Sequence, residues 1–189
     1  LPGIRSVRVA SGVRHDLALQ DREYTKILIR EFTGGQIKLA PEHLCDDLLA
    51  TMRKPPFRVF EEFLTVFERE SGRAGREQFV IPYLMSAFPG CTEDHMRRLA
   101  EWLRRRGWKP RQVQCFIPLP GTLAAAMFWA GMDERGRRIP VARTDAERLR
   151  QHHILVSGPE SSPRSKGRRQ GANPPKSPPI PCNRLRRKD

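Results

Sequence analysis

Four short stretches of this sequence gather the side chains that could do chemistry. They are Ser11-Gly12-Val13-Arg14-His15-Asp16, Ala40-Pro41-Glu42-His43, Ser86-Ala87-Phe88-Pro89-Gly90 and Pro118-Leu119-Pro120-Gly121-Thr122. Each sets small or polar residues beside glycine or proline, directly after a run rich in apolar residues. Turns of this composition leave backbone groups unpaired and side chains free to vary, so they can hold a polar ligand. The plainer alternative is four ordinary turns.

Metal and nucleophile chemistry have less support. His43 with Cys45, and Cys91 with His95 at i, i+4, are only pairs, whereas a metal site needs three or four convergent ligands. A buried thiol beside an imidazole accounts for each pair, and no metal ligand is assigned. His152 and His153 are adjacent and point to different sides of a helix. No Gly-x-Ser-x-Gly elbow marks a hydrolase.

The elements that must position these stretches alternate. "SVRVAS" at 6–11 has the alternation of a strand, and "DREYTKILIREF" reads as a helix with Asp21 as N-cap. "QIKLA" at 36–40 is a second strand, broken by Pro41. "EHLCDDLLATMRK" reads as a helix with Leu44, Leu48, Leu49 and Met52 inward. "FRVFEEFLTVFERESG" places five apolar residues, Phe57, Phe60, Phe63, Leu64 and Phe67, at helical spacing, as a core stripe does.

"QFVIPYLM" at 78–85 is apolar enough for a parallel strand covered on both faces, although Pro82 implies an edge position or a bulge. Thr92 caps a helix whose Met96, Leu99, Ala100 and Leu103 form the buried stripe, with Asp94–Arg98 and Glu101–Arg105 pairs outside and Gly107 at the stop. "QVQCFIP" at 112–118 is the fourth strand. Short helices are expected in "LAAAMFWAG" and, capped by Thr144, in "TDAERLRQHHIL".

The alternation argues for an α/β fold with parallel strands joined by helical crossovers. The four chemical stretches would then share the rim at the strands' carboxyl ends, forming one side of a composite pocket.

Composition sets the outer limits. The 189 residues suffice for one domain, while 38% apolar content and 17 prolines imply that part of the chain does not pack. Half of the net charge of +14 falls in the last 33 residues, where nine Lys or Arg face two acids. From Ser157 onward the composition is that of a disordered basic tail. Cys45, Cys91, Cys115 and Cys182 show no CxxC spacing, which points to reduced thiols in a cytoplasmic protein. No apolar run approaches the roughly 18–20 residues a membrane span needs.

Three long motifs, "SVRVASGVRHDLAL", "GGQIKLAPEHLCDDLLATMRKP" and "GREQFVIPYLMSAFPGCTEDHMRRLAEWLRRRGWKPRQVQCFIPLPGTLAAAMFWAG", resemble the later part of the YgiQ family of radical S-adenosylmethionine proteins. The resemblance runs from about Ser6 to Gly131 and more weakly to Leu155. The "FPG-x-TE" turn and the "PLPGT" strand end are also similar to those of the methylthiotransferase branch. The resemblance implies a partial parallel (βα) barrel, the last four strands of a (βα)6-type barrel. Residues 1–123 would be barrel, 124–156 a family-like extension and 157–189 the tail.

It also implies an enzyme that uses S-adenosylmethionine and a 4Fe-4S cluster to make a 5′-deoxyadenosyl radical, acting on a substrate it does not name. The cluster loop CxxxCxxC is absent; no two cysteines are closer than Cys91 and Cys115. Together with a first residue that is Leu, this gives the expectation of a C-terminal portion whose partner is the amino-terminal part of the same gene product. Such a portion would hold no cluster and be inactive alone.

Carried over from the family, Ser11 and Arg14 face the cofactor, Glu42 lies near the ribose, and the backbone of Ser86, Ala87, Pro89 and Gly90 borders the adenine. Each could instead be a turn former or a surface charge. The rival class is a nucleic-acid-binding module that uses the tail and the arginines at 97–111, with Trp102 and Trp108 the only interleaved aromatics. A nonfunctional remnant with an unpaired strand edge is the third reading.

Overall fold

A computed structural model describes residues 3–110 and 112–156; Arg111 and the expected basic tail lie outside the described residues. Four strands, β1 (Gly12–Val13), β2 (Gln36–Glu42), β3 (Phe79–Ser86) and β4 (Gln112–Cys115), form one parallel sheet in chain order. The helices are α1 (His15–Ala18), α2 (Arg22–Ile27), α3 (Asp46–Thr51), α4 (Phe57–Arg73), α5 (Glu93–Arg105), α6 (Leu123–Ala130) and α7 (Asp145–Val156). Strands added side by side in chain order, with right-handed crossovers, put their helices on one face of the sheet.

Burial agrees with that arrangement. On β2, Ile37, Leu39 and Pro41 are buried, while Lys38, Ala40 and Glu42 are only partly so. On β3, Pro82, Leu84 and Ser86 are buried and Tyr83 and Met85 are half open. The expectation of a β3 covered on both faces holds in part: one face is buried and the other is half-buried, with Val80 and Met85 packed against the core clusters. A four-stranded parallel sheet in chain order is consistent with part of a barrel.

Two clusters make the core. Ile37 and Leu39 pack with Phe60, Phe63, Leu64 and Phe67 of α4, all at most 3% exposed. Burying each such side chain is worth about 1.5–3 kcal/mol, so the phenylalanine stripe alone anchors α4. Leu84 packs with Met96, Leu99 and Leu103 of α5, Phe116, Phe128 of α6 and Leu155 of α7. Trp102 and Trp108 touch both clusters.

Local chemistry explains the element ends. Thr92 Oγ1 accepts the His95 N–H at 3.2 Å while His95 Nδ1 accepts the Thr92 N–H at 3.3 Å, a reciprocal cap on α5. Gly107 follows the helix in a left-handed conformation, φ +66°. The outer pairs are Glu93–Arg97 and Glu101–Arg105; no Asp94–Arg98 pair forms among the described residues. Thr144 and Thr122 cap α7 and α6.

Several expected boundaries move. Residues 6–11 are not a strand, because they run beside the π turn at Leu28–Phe32 that follows α2 rather than beside β2, with the Val9 N–H on the Phe32 carbonyl at 2.9 Å. The helix expected over 21–32 widens into a π turn at Leu28–Phe32. There Gln78 Nε2 donates to the Ile29 and Thr33 carbonyls, both at 2.9 Å, and removes the cost of the irregular turn. The helix expected over 42–54 is confined to α3, since β2 continues through Pro41 to Glu42.

That continuation is possible because the register slips from Leu39↔Pro82 to Glu42↔Leu84. One extra residue sits in β2, so the missing N–H of Pro41 forfeits no ladder bond. The irregularity expected near Pro82 exists, but β3 is an interior strand and the bulge is on its neighbour. β4 stops at Cys115 rather than Pro118.

Candidate functional site

Because the strands are parallel and adjacent, the tips after Val13, Glu42, Ser86 and Cys115 lie along a single edge of the sheet. Two tips turn through left-handed backbone at residues with a Cβ: Glu42 at φ +65° and Ala87 at φ +59°. Gly90 follows at φ +95°, where glycine alone is unstrained.

Arg14 stands at the β1 tip, whereas Ser11, expected to end its strand, precedes β1 at the opposite end because pairing with β2 begins only at Gly12; both are exposed. Arg14 binds Asp16 through two bonds, 2.8 and 2.6 Å, and that contact holds the Asp16 carboxyl down at about 2. His15 points inward, 4% exposed, edge-on to Phe60 at 5.5 Å. Burial lowers its pKa, with Asp16 acting against the shift and Lys54 and Arg14 adding to it.

At the β2 tip, Glu42 is partly buried and pairs with Lys54 Nζ at 3.3 Å. His43 is fully buried. Its Nδ1 accepts the Cys45 N–H at 3.1 Å, leaving Nε2 without a partner. Burial, then the nearby His95, brings the His43 pKa down to about 4.

The β3 tip is closed by α7. Ser86, Ala87, Phe88 and Pro89 are all buried. Gln151 Oε1 accepts the Ala87 N–H at 3.0 Å and its Nε2 donates to the Cys91 carbonyl at 2.9 Å. The Gly90 N–H goes to the Pro140 carbonyl and the Cys91 N–H to the Phe88 carbonyl, both at 2.8 Å. Ser86 Oγ lies 3.4 Å from His152 Nδ1. The Ala87, Gly90 and Cys91 N–H groups of this turn are thus engaged within the chain. At the β4 tip, Arg148 Nη2 donates to the Phe116 carbonyl at 2.6 Å.

The edge gathers the sequence candidates in a row without enclosing them. A cleft of about 430 Å³ lies between α2 and α4, lined by Leu19, Arg22, Glu62 and Arg69 among others. A second of about 440 Å³ lies between α5 and α7, and a third of about 330 Å³ beside Gly131. Ser11, Arg14, Glu42 and the residues at 86–90 line none of the three.

The structure also brings together what the sequence showed as separate pairs. The ligand atoms of Cys45, Asp47 and His95 all lie within 4.8 Å of one another, with Asp47 Oδ2 3.3 Å from His95 Nε2. The rings of His43 and His95 are 6.0 Å apart. Burial raises the Cys45 thiol, and lifts Cys91 to about 12. One signal was available: His43/Cys45 follows β2, Cys91/His95 follows β3, and consecutive parallel strands place those loops side by side.

No family model matches the chain. Among curated proteins it is 44% identical to a UPF0313 protein of Geobacter sulfurreducens over 153 residues, covering 80% of the chain and 25% of that protein. It is 40% identical over 158 residues to a UPF0313 protein of Clostridium perfringens, 82% of the chain and 24% of the relative. A Pseudomonas aeruginosa relative is 44% identical over 131 residues, 69% and 18%. The chain spans about a quarter or less of the length of these relatives.

Proposed function

Because the chain belongs to the UPF0313 (YgiQ) family, we propose that it forms the later strands of a radical S-adenosylmethionine barrel and supplies the rim that cradles this cofactor. The observation that carries the reading is the single edge on which four parallel strands end, two of them in left-handed backbone at Glu42 and Ala87. Backbone held in such conformations costs of order 1–3 kcal/mol, and such residues cluster at functional sites.

On this reading Glu42 exchanges Lys54 for the ribose hydroxyls, which a carboxylate can accept in pairs. Arg14 faces the cofactor from the β1 tip, while Ser11, on the amino side of the two-residue β1, stands farther from the rim. The turn at 86–90 lies along the adenine by shape, since its Ala87 and Gly90 N–H groups are already bonded within the chain.

The chain's own residues do not fit the iron–sulfur cluster. Cys45 and Cys91 are buried, and the sequence has no compact cysteine loop, whereas cluster thiolates come from closely spaced positions. The cluster would come from a segment outside these 189 residues, and no cleavage step is assigned to this chain. The resemblance does not name the substrate.

Calorimetric titration with S-adenosylmethionine tests the rim. Glu42→Ala is expected to weaken binding about tenfold, the equivalent of ~1.4 kcal/mol for one charge-assisted contact. After anaerobic iron–sulfide reconstitution, the chain alone gains no 4Fe-4S chromophore, whereas the Geobacter sulfurreducens relative gains one and forms 5′-deoxyadenosine. A relative that binds neither group ends the proposal. Unchanged affinity in Glu42→Ala removes that residue from the rim.

A further inference from the structure

We propose that Cys45, Asp47 and His95 form a mononuclear zinc site, separate from any iron–sulfur centre and independent of the cofactor reading. Three ligand types meet from two loops: Cys45 and Asp47 at the start of α3, and His95 in the first turn of α5. Their ligand atoms lie within 4.8 Å of one another. In a tetrahedral zinc site with bonds of about 2.0–2.3 Å, ligand atoms stand roughly 3.5 Å apart. The Asp47–His95 contact of 3.3 Å already meets that spacing, and side-chain movement of roughly an ångström brings in the thiol.

The ligand set selects the metal. Thiolate with imidazole excludes magnesium and calcium, which take oxygen ligands, and suits zinc. Three protein ligands leave a fourth position. The site opens to solvent on the Asp47 side, whose side chain is 71% exposed, while His95 is 15% exposed. Asp47 Oδ1 accepts the Leu48 N–H at 2.9 Å, fixing the carboxylate so that Oδ2 faces His95. Beside the set lies His43, fully buried, whose Nε2 has no partner among the described residues. With Nδ1 engaged by the Cys45 N–H, Nε2 carries hydrogen and is an unused donor beside the site, its ring 6.0 Å from that of His95.

Proton balance follows from the same contacts. Without metal, His95 Nδ1 accepts the Thr92 N–H, so Nε2 carries the proton and donates it to Asp47. Zinc takes the Nε2 lone pair, the imidazole proton moves to Nδ1, and the Thr92 N–H loses its acceptor. The Cys45 thiol releases its proton to solvent, so binding liberates one proton per zinc.

Cobalt(II) and zinc(II) titrations of the intact chain test the site. Cobalt is expected to give a thiolate charge-transfer band at one equivalent, displaced by zinc. Cys45→Ser abolishes the band and Cys115→Ser retains it. Asp47→Asn and His95→Gln weaken binding by more than the roughly 10–100-fold that losing an outer-shell partner costs. Asp47 is exposed and Gln can still accept the Thr92 N–H, so both variants keep the fold. Thermal unfolding of the metal-free proteins checks this. No metal bound at one equivalent overturns the proposal, as does a band that survives Cys45→Ser or an affinity unmoved by Asp47→Asn.

Discussion

His15 sits at a strand tip with its ring against Phe60 and Phe63, and its neutral form is the one the fold accommodates. Its folded pKa lies below the ordinary histidine value of 6.5, chiefly through burial. The unfolded chain therefore takes up the proton first, and stability drops as pH falls through 6.5 until the folded value is also passed. Asp16, Lys54 and Arg14 are the charged groups that face it. Urea midpoints measured between about pH 7 and pH 5 should fall more steeply in the natural chain than in His15→Leu. Parallel curves would mean that the imidazole does not titrate with unfolding. At this scale the sequence was only partly legible: Arg14, Glu42 and the turn at 86–90 could be chosen as strand-end residues, but Ser11 falls before its strand, and the partners of these residues could not be read. Gln151 reaches Cys91 across 60 positions, and no local pattern announces such a bond.

The strength of α5 comes from both ends and one stripe, and the sequence signal for each lies within a few residues. Thr92→Ala removes the acceptor for the His95 N–H and should cost about 1 kcal/mol in urea denaturation, within the usual range for an N-cap; no change in midpoint would show that the cap is redundant. Features of this kind, the α4 phenylalanines and the Thr92, Thr122 and Thr144 caps, were readable because periodicity and capping act within a few residues. Strand limits were not. Whether Val7 and Val9 belong to a strand depends on what runs beside them, and whether Pro41 ends β2 depends on the slip at Glu42. Both are properties of pairing, decided by a neighbour far along the chain.

Charge is a property of the whole molecule, and here its placement limits what it can do. Arg97, Arg104, Arg105 and Arg106 would read as a phosphate-binding stripe, yet they contact Glu93, Glu101 and Glu68, and Arg106 stacks over Trp102 at 4.9 Å. Half of the +14 net charge lies in the last 33 residues. Any affinity for an oligonucleotide should therefore be weak, fall steeply with salt and vanish when residues 157–189 are removed, as fluorescence anisotropy would read it. Binding retained by the shortened chain would assign a nucleic-acid role to α5. Across the sheet, β1 and β4 each pair on one side only among the described residues. The two unpaired margins are different surfaces, so β4 of one copy can accept β1 of the next without the series ever closing. Raising the concentration then favours open-ended polymers over dimers, and a short peptide that occupies either margin would act as a chain terminator.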